Sequence, residues 1–103
     1  MKTSDLSKLK ANAAVMAGRL KLMSHPERLL MLARLDAGEA SVTKLVELAG
    51  LSQSSVSQHL AKLREEGVVS IRGEAQTRFY KLNDPLVSGI IHALSDLSRD
   101  ACK

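Results

Sequence analysis

Cysteine occurs once in this 103-residue chain, at Cys102, and tryptophan is absent. A sole thiol excludes an intramolecular disulfide and fits a reducing cytoplasm. No apolar run approaches the roughly 18 residues that a membrane span needs. The segment Met1 to Lys10 is polar and leads into no short apolar core with a cleavage-like site, so no signal peptide is expected. Internal repeats, low-complexity tracts and domain-dividing linkers are missing too, and a single domain over residues 1–103 is expected. There is no Gly-rich phosphate loop, no nucleophile motif and no metal cage. The histidines His25, His59 and His92 fall on different predicted elements. An enzyme is therefore not expected, and nothing calls for a cofactor.

Aromatic residues are nearly absent as well, with one Phe and one Tyr, yet 45% of the chain is apolar. That surplus is aliphatic. A domain of this size buries only about 60–65% of the surface its unfolded chain exposes. Shared burial in a homodimer is the simplest outlet for the excess.

The formal charge is +4. Its distribution is uneven: residues 1–25 hold a net +4 and residues 52–82 a net +2, while the other two blocks are each −1. A basic balance concentrated in this way suits a nucleic-acid partner, although by itself it is a weak signal.

Helical periodicity organises the first part of the chain. Leu6, Leu9, Ala13, Met16, Leu20 and Met23 recur at steps of three and four, which predicts a helix from about Asp5, capped by Ser4 or Asp5, to Met23. Gly18 inside it could admit a partner helix. Pro26 fits the first turn of a second helix, reaching about Asp36 with Leu29, Leu30, Leu32 and Leu35 inside. Gly38 follows its end.

Residues 41–66 carry the strongest motif. Ser41 caps a short helix over roughly Val42 to Ala49, with Leu45, Val46 and Leu48 apolar. Gly50 closes it, and Ser52 caps the next helix, which ends before Gly67. Two short helices joined by a tight Gly-containing turn are a helix-turn-helix. On the second helix, Val56, Leu60 and Leu63 fall within about 60° of one another, an inward stripe. Ser54, Gln58 and Ala61 lie opposite, flanked by Ser55 and Ser57, with Gln53 in the first turn. Small polar side chains there do little for folding. Gln can match the adenine edge, Ser a base edge or phosphate, and Ala a thymine methyl. The bland alternative is that Ser is common at helix starts because it caps well. His59, near the core boundary, fits either a phosphate contact or a structural hydrogen bond. Lys62 and Arg64 fit phosphate or solvent.

A hairpin pattern follows: Val68 to Arg72, a turn at Gly73-Glu74-Ala75, and Gln76 to Leu82. Arg72 and Arg78 flank that turn, where they could reach a minor groove or clamp phosphates; the alternative is solvated charge on exposed strands. Pro85 then opens a last helix with Leu86, Val87, Ile90, Ile91, Leu94 and Leu97, an apolar face too wide for an isolated surface helix. The order helix, helix, helix-turn-helix, hairpin, helix predicts a mainly α winged helix-turn-helix with an extra helix at each end. The end helices, 1–23 and 85–101, are expected to pair with those of a second subunit through Leu6, Leu9, Ala13, Met16, Leu20, Leu86, Ile90, Ile91, Leu94 and Leu97.

Three segments carry a family resemblance: Leu22-Met23-Ser24-His25-Pro26-Glu27-Arg28-Leu29, Leu51 to Leu60 (LSQSSVSQHL), and Ala75 to Leu82 (AQTRFYKL). Together they resemble the ArsR/SmtB family of bacterial winged-helix repressors, in particular its nodulation-repressor and haemolysin-regulator subgroup. The resemblance implies a homodimer joined through the first and last helices, binding a palindromic operator and usually repressing. It does not carry over the family's inducer sites. Ser41-Val42-Thr43 stands where a Cys-x-Cys pattern would be. Asp84 fits a first zinc-ligand position, but Leu86 replaces the expected His, and Asp96 and Arg99 do not restore the set. Ala33 stands where thiol-switch relatives have a cysteine. His92, Asp96 and Asp100 recur at steps of four, which can make a metal face but more often makes a solvated one. A competing function, a winged-helix module that binds protein, predicts an apolar or acidic patch on the helix that starts at Ser52.

Overall fold

The computed structural model describes residues 2–101, so Cys102, the sole thiol, lies outside the described residues. The elements are α1 (Thr3–Met23), α2 (Pro26–Asp36), β1 (Ala40–Ser41), α3 (Val42–Ala49), α4 (Gln53–Glu65), β2 (Val69–Glu74), β3 (Thr77–Leu82) and α5 (Pro85–Ala101). This is a winged helix-turn-helix. Among the described residues no helix is long and apolar enough to cross a membrane.

Local chemistry sets most boundaries. Pro26 occupies the first turn of α2, with Glu27 beside it and Arg34 in the last turn, each favourable to the helix dipole. The Ser41 hydroxyl accepts from the Lys44 amide, and the Ser52 hydroxyl from the Ser55 amide, capping α3 and α4 as expected. Gly50 takes a left-handed φ of 67° and its N–H bonds the Val46 carbonyl, which reverses the chain between the two helices. Asp84 caps α5 by accepting from the Leu86 and Val87 amides. At the start of α1 the expectation is corrected: the helix begins at Thr3 after Lys2, without a side-chain cap, and Asp5 sits in its first turn.

The core joins α2, α3, α4, the sheet and the first turns of α5. Met31, Leu32, Leu45, Val56, Leu60, Leu63, Val68 and Val87 are each 0% exposed. Leu30 and Leu48, expected inside, are 49% and 44% exposed. The helical phase explains both: Met31, Leu32 and Leu35 hold the inward stripe of α2, about 100° per residue leaves Leu30 off it, and Leu45 with half-buried Val42, Val46 and Ala49 fills that of α3. Ile91 is 6% exposed and Val87 fully buried inside the protomer. Ile91 is thereby corrected from an interface residue to a core residue, because its turn of α5 packs on α2.

The sheet has order β1-β3-β2, all antiparallel. The short β1, which pairs Ala40 with Tyr80 and Ser41 with Phe79, joins the expected hairpin as a third strand. Glu74 pairs with Thr77, so the hairpin turns at Ala75-Gln76 and Gly73 lies within β2. Ala75 has a φ of 55°, a left-handed conformation that glycine would hold more cheaply.

Only the end of α1, Leu22 and Met23, reaches the core. The helix projects from the body. The molecule measures 51 × 35 × 20 Å with a radius of gyration of 15.1 Å, where about 13 Å is usual for 100 residues. Along it Leu6, Leu9, Val15 and Leu20 are 58%, 39%, 55% and 54% exposed. Gly18 faces open space within the protomer.

Candidate nucleic-acid interface

The inward stripe of α4, Val56, Leu60 and Leu63, is wholly buried. This anchors the helix and turns Gln53, Ser54, Ser57, Gln58, Ala61 and Lys62 to solvent. Between α4, the start of α3 and the wing lies an open groove of about 820 Å³, bordered by Thr43, Gln53, Ser57, Ala61, Arg64 and Arg78, among others. Ser54 and Gln58 stand on the crest of α4 beside it. The groove therefore has a helix of small polar side chains as one wall and a cationic wing as another. Thr43, Gln76 and Thr77 also border it. Nothing in their local spacing marks them; only the folding of β3 against α3 brings them there.

The two wing arginines part company. Gly73 is paired with Arg78 and Arg72 with Phe79, so the arginines project from opposite faces of the sheet. Arg78 faces the groove and makes no ion pair among the described residues. Arg72 is clamped on the other face. Its Nη2 and Nε donate to Glu39 at 2.6 and 3.1 Å, its Nη1 donates to Glu74 at 2.7 Å, and the guanidinium lies 4.8 Å from the Phe79 ring centroid. The hydrogen bonds from Arg72 hold the Glu39 carboxyl below its usual range. Arg72, expected as a DNA contact, here ties the wing to the segment after α2 through two carboxylates.

Two further expected contact residues of α4 also have partners within the protein. Ser55 is half-buried and its hydroxyl accepts from Ser52 at 3.1 Å, which makes it part of the cap. His59 is half-buried, and its Nδ1 accepts from Arg28 Nε at 3.0 Å. Burial first, then the neighbouring charges of Arg28 and His25, pull the imidazole below the ordinary histidine value. Of its two possible roles, the structural hydrogen bond is the one the geometry contains. Lys62 is exposed, 3.5 Å from Glu66, on the flank of α4 away from the wing.

On the last helix, two of the residues considered for metal binding have other partners, and among the described residues no group of three or more His, Cys, Asp or Glu is placed to hold a metal ion. The His92 ring lies 2.6 Å from Asp36, which also accepts from Ser88 at 2.5 Å, and Asp96 pairs with Arg99. The Ser88 hydrogen bond, then His92, lowers the Asp36 carboxyl against the opposing effect of burial. Asp84 is occupied by its cap and by Arg19 Nε at 2.7 Å.

A buried-stripe helix in a helix-turn-helix, beside a β-wing and a polar groove, defines the winged-helix transcriptional regulators. Residues 25–70 match the family described as "Bacterial regulatory protein, arsR family". The nodulation protein NolR of Rhizobium meliloti is 45% identical over 89 residues, covering 86% of this chain and 73% of that protein. The transcriptional activator HlyU of Vibrio cholerae is 42% identical over 93 residues, covering 90% and 86%. The crystal structure of the transcriptional repressor BigR from Xylella fastidiosa matches with a TM-score of 0.82 at 35% identity, over 94% of this chain and 96% of that one. The chain belongs to the arsR family of bacterial regulatory proteins.

Proposed function

We propose that two copies of this chain pair through α1 and α5 and present α4 to successive major grooves of a palindromic operator, repressing transcription in the cytoplasm. The observation that carries the reading is the division of α4. Val56, Leu60 and Leu63 are 0% exposed, and what remains outside is Gln, Ser, Ala and Lys, with Arg64 and Glu65 exposed at its far end. Gln58, Ser54 and Ser57 meet base edges, with Gln53 in the first turn. Arg78 and Lys62 hold phosphates on either side. The two-fold axis sets half-sites about 34–36 Å apart, or a multiple of that.

The dimer is supported by surface arithmetic. The protomer exposes 6992 Å², where about 5,700 Å² is expected for a folded monomer of this mass. The excess of roughly 1,300 Å² per protomer is the order of area that a stable homodimer covers. Among the exposed large apolar residues, Leu6, Leu9, Val15, Leu20, Leu94 and Leu97 lie on α1 and α5, against Leu30 on α2 and Leu48 on α3. None of the large ones lies on α4, which leaves the protein-binding alternative without its patch. Repression follows the reading of BigR as a repressor; HlyU, named an activator, shows that related chains act with either sign.

The test is fluorescence anisotropy on the intergenic DNA upstream of the gene, together with selection of bound sites from random sequence. Salt-sensitive, sequence-dependent binding with a two-fold symmetric selected site is expected. Absence of sequence preference at low salt would refute it, and a promoter-reporter assay decides the sign of regulation.

A further inference from the structure

On the flank of α4 away from the wing, a cleft of about 400 Å³ opens between the end of α1, the start of α2 and α4. Lys21, Ser24, His25, Arg28 and Lys62 line it, along with Arg19 and Glu66. Arg19 is neutralised by Asp84, and Lys62, the phosphate contact already proposed on this flank, lies 3.5 Å from the exposed Glu66. Lys21 and Arg28 make no ion pair among the described residues, so theirs are the uncompensated charges. Arg28 is the telling one. It is half-buried, and its guanidinium rests on two neutral acceptors, His59 Nδ1 and the Leu22 carbonyl, each at 3.0 Å. A partly desolvated cation without a counter-charge is costly. His59 beside it is held below the ordinary histidine value first by burial and then by the charges of Arg28 and His25, against the opposing charge of Glu27.

We infer that this cleft is a second phosphate-binding ledge, which grips the DNA backbone on the side of the major groove opposite the wing. The inference rests on the reading of α4 as the groove-bound helix. An α-helix is about 10–12 Å across and the major groove about 12 Å wide. A helix seated there has a sugar-phosphate wall on each side. Arg78 and Arg64 meet one wall, and Lys21 and Arg28 meet the other. The ledge also uses part of the amino-terminal charge that the reading helix and wing leave without a role. Because Arg28 bonds His59 of α4 and Leu22 of α1, a phosphate held there would fix the reading helix against the α1–α2 corner.

The test compares Lys21→Gln, Arg28→Gln and wild type on the selected operator and on a scrambled duplex over a range of salt. Each substitution should reduce the salt slope by about one unit and weaken both duplexes by the same factor. Replacing single phosphates beside the half-site by neutral methylphosphonate should weaken wild type at one position but leave the Lys21→Gln variant little changed there. Lys21 is exposed, so that variant decides the matter if Arg28→Gln does not fold. Wild-type affinity and slope in Lys21→Gln, with wild type still preferring the operator, would overturn the ledge alone. A wild type with no preference for the operator would overturn both the ledge and the α4 reading.

Discussion

Leu97 on α5 is 63% exposed in the protomer. Changing it to glutamate removes almost nothing from the protomer's own core, so any large effect must come through assembly. Full burial of a leucine contributes about 1.5–3 kcal/mol. The part left exposed corresponds to about 1–2 kcal/mol per subunit, and two-fold symmetry doubles that to about 2–4 kcal/mol per dimer. A dimer dissociation constant some 30- to 1,000-fold weaker follows, before the cost of placing two carboxylates in an apolar seam. Sedimentation velocity over a dilution series reads the association, and anisotropy on the operator reads the consequence. The thermal midpoint at concentrations where wild type is monomeric should be unchanged. Leu48→Glu, at 44% exposure on α3, serves as a control that should leave association alone. A Leu97→Glu protein that dimerises and binds DNA like wild type would show that this face of α5 is not the interface.

Other outcomes follow from the site. Arg78→Ala should lower the salt slope of DNA binding by about one unit, whereas Arg72→Ala should leave the slope near wild type and loosen the wing, seen as faster amide exchange in β2 and β3. Equal slopes for wild type and Arg78→Ala would remove Arg78 from the phosphate contacts. His59 has a lower pKa folded than unfolded, so the unfolded chain takes up a proton first on acidification. Its contribution is fully present above about pH 6.5 and is lost as the pH falls through that value toward the folded pKa. The urea midpoint should therefore fall between pH 7 and pH 5.5, and fall less in His59→Gln, which keeps an acceptor for Arg28. Parallel pH profiles for the two proteins would contradict the Arg28–His59 assignment.

Much of this architecture was legible because it rests on local chemistry. Ser41, Gly50, Ser52, Pro26 and Pro85 mark helix ends through hydrogen bonds or ring geometry that tertiary context rarely overrides. Val56, Leu60 and Leu63 form a clean stripe, so the inward face of α4 could be read directly. What was not legible depended on distant partners. Leu29 and Leu30 look alike in sequence, and only the phase of α2 against the core separates them. The two residues of β1 have no periodicity and become a strand because Tyr80 and Phe79 lie alongside. Gly73 drew the expected turn two residues early, since Ala75 in a left-handed conformation has no sequence signature. Arg72 resembled Arg78 until Glu39, 33 residues earlier in the chain, arrived to neutralise it.

The measurement that bears most directly on the central claim is the affinity of wild type and Gln58→Ala for the selected operator and a scrambled duplex at one fixed salt concentration. Wild type should prefer the operator by a factor of about 10³ or more. Gln58→Ala should lose about 1–3 kcal/mol on the operator, relax the preference at one base pair, and bind the scrambled duplex as before. An equal loss on both duplexes would make Gln58 a backbone contact, and no loss on either would mean that the exposed face of α4 does not read DNA.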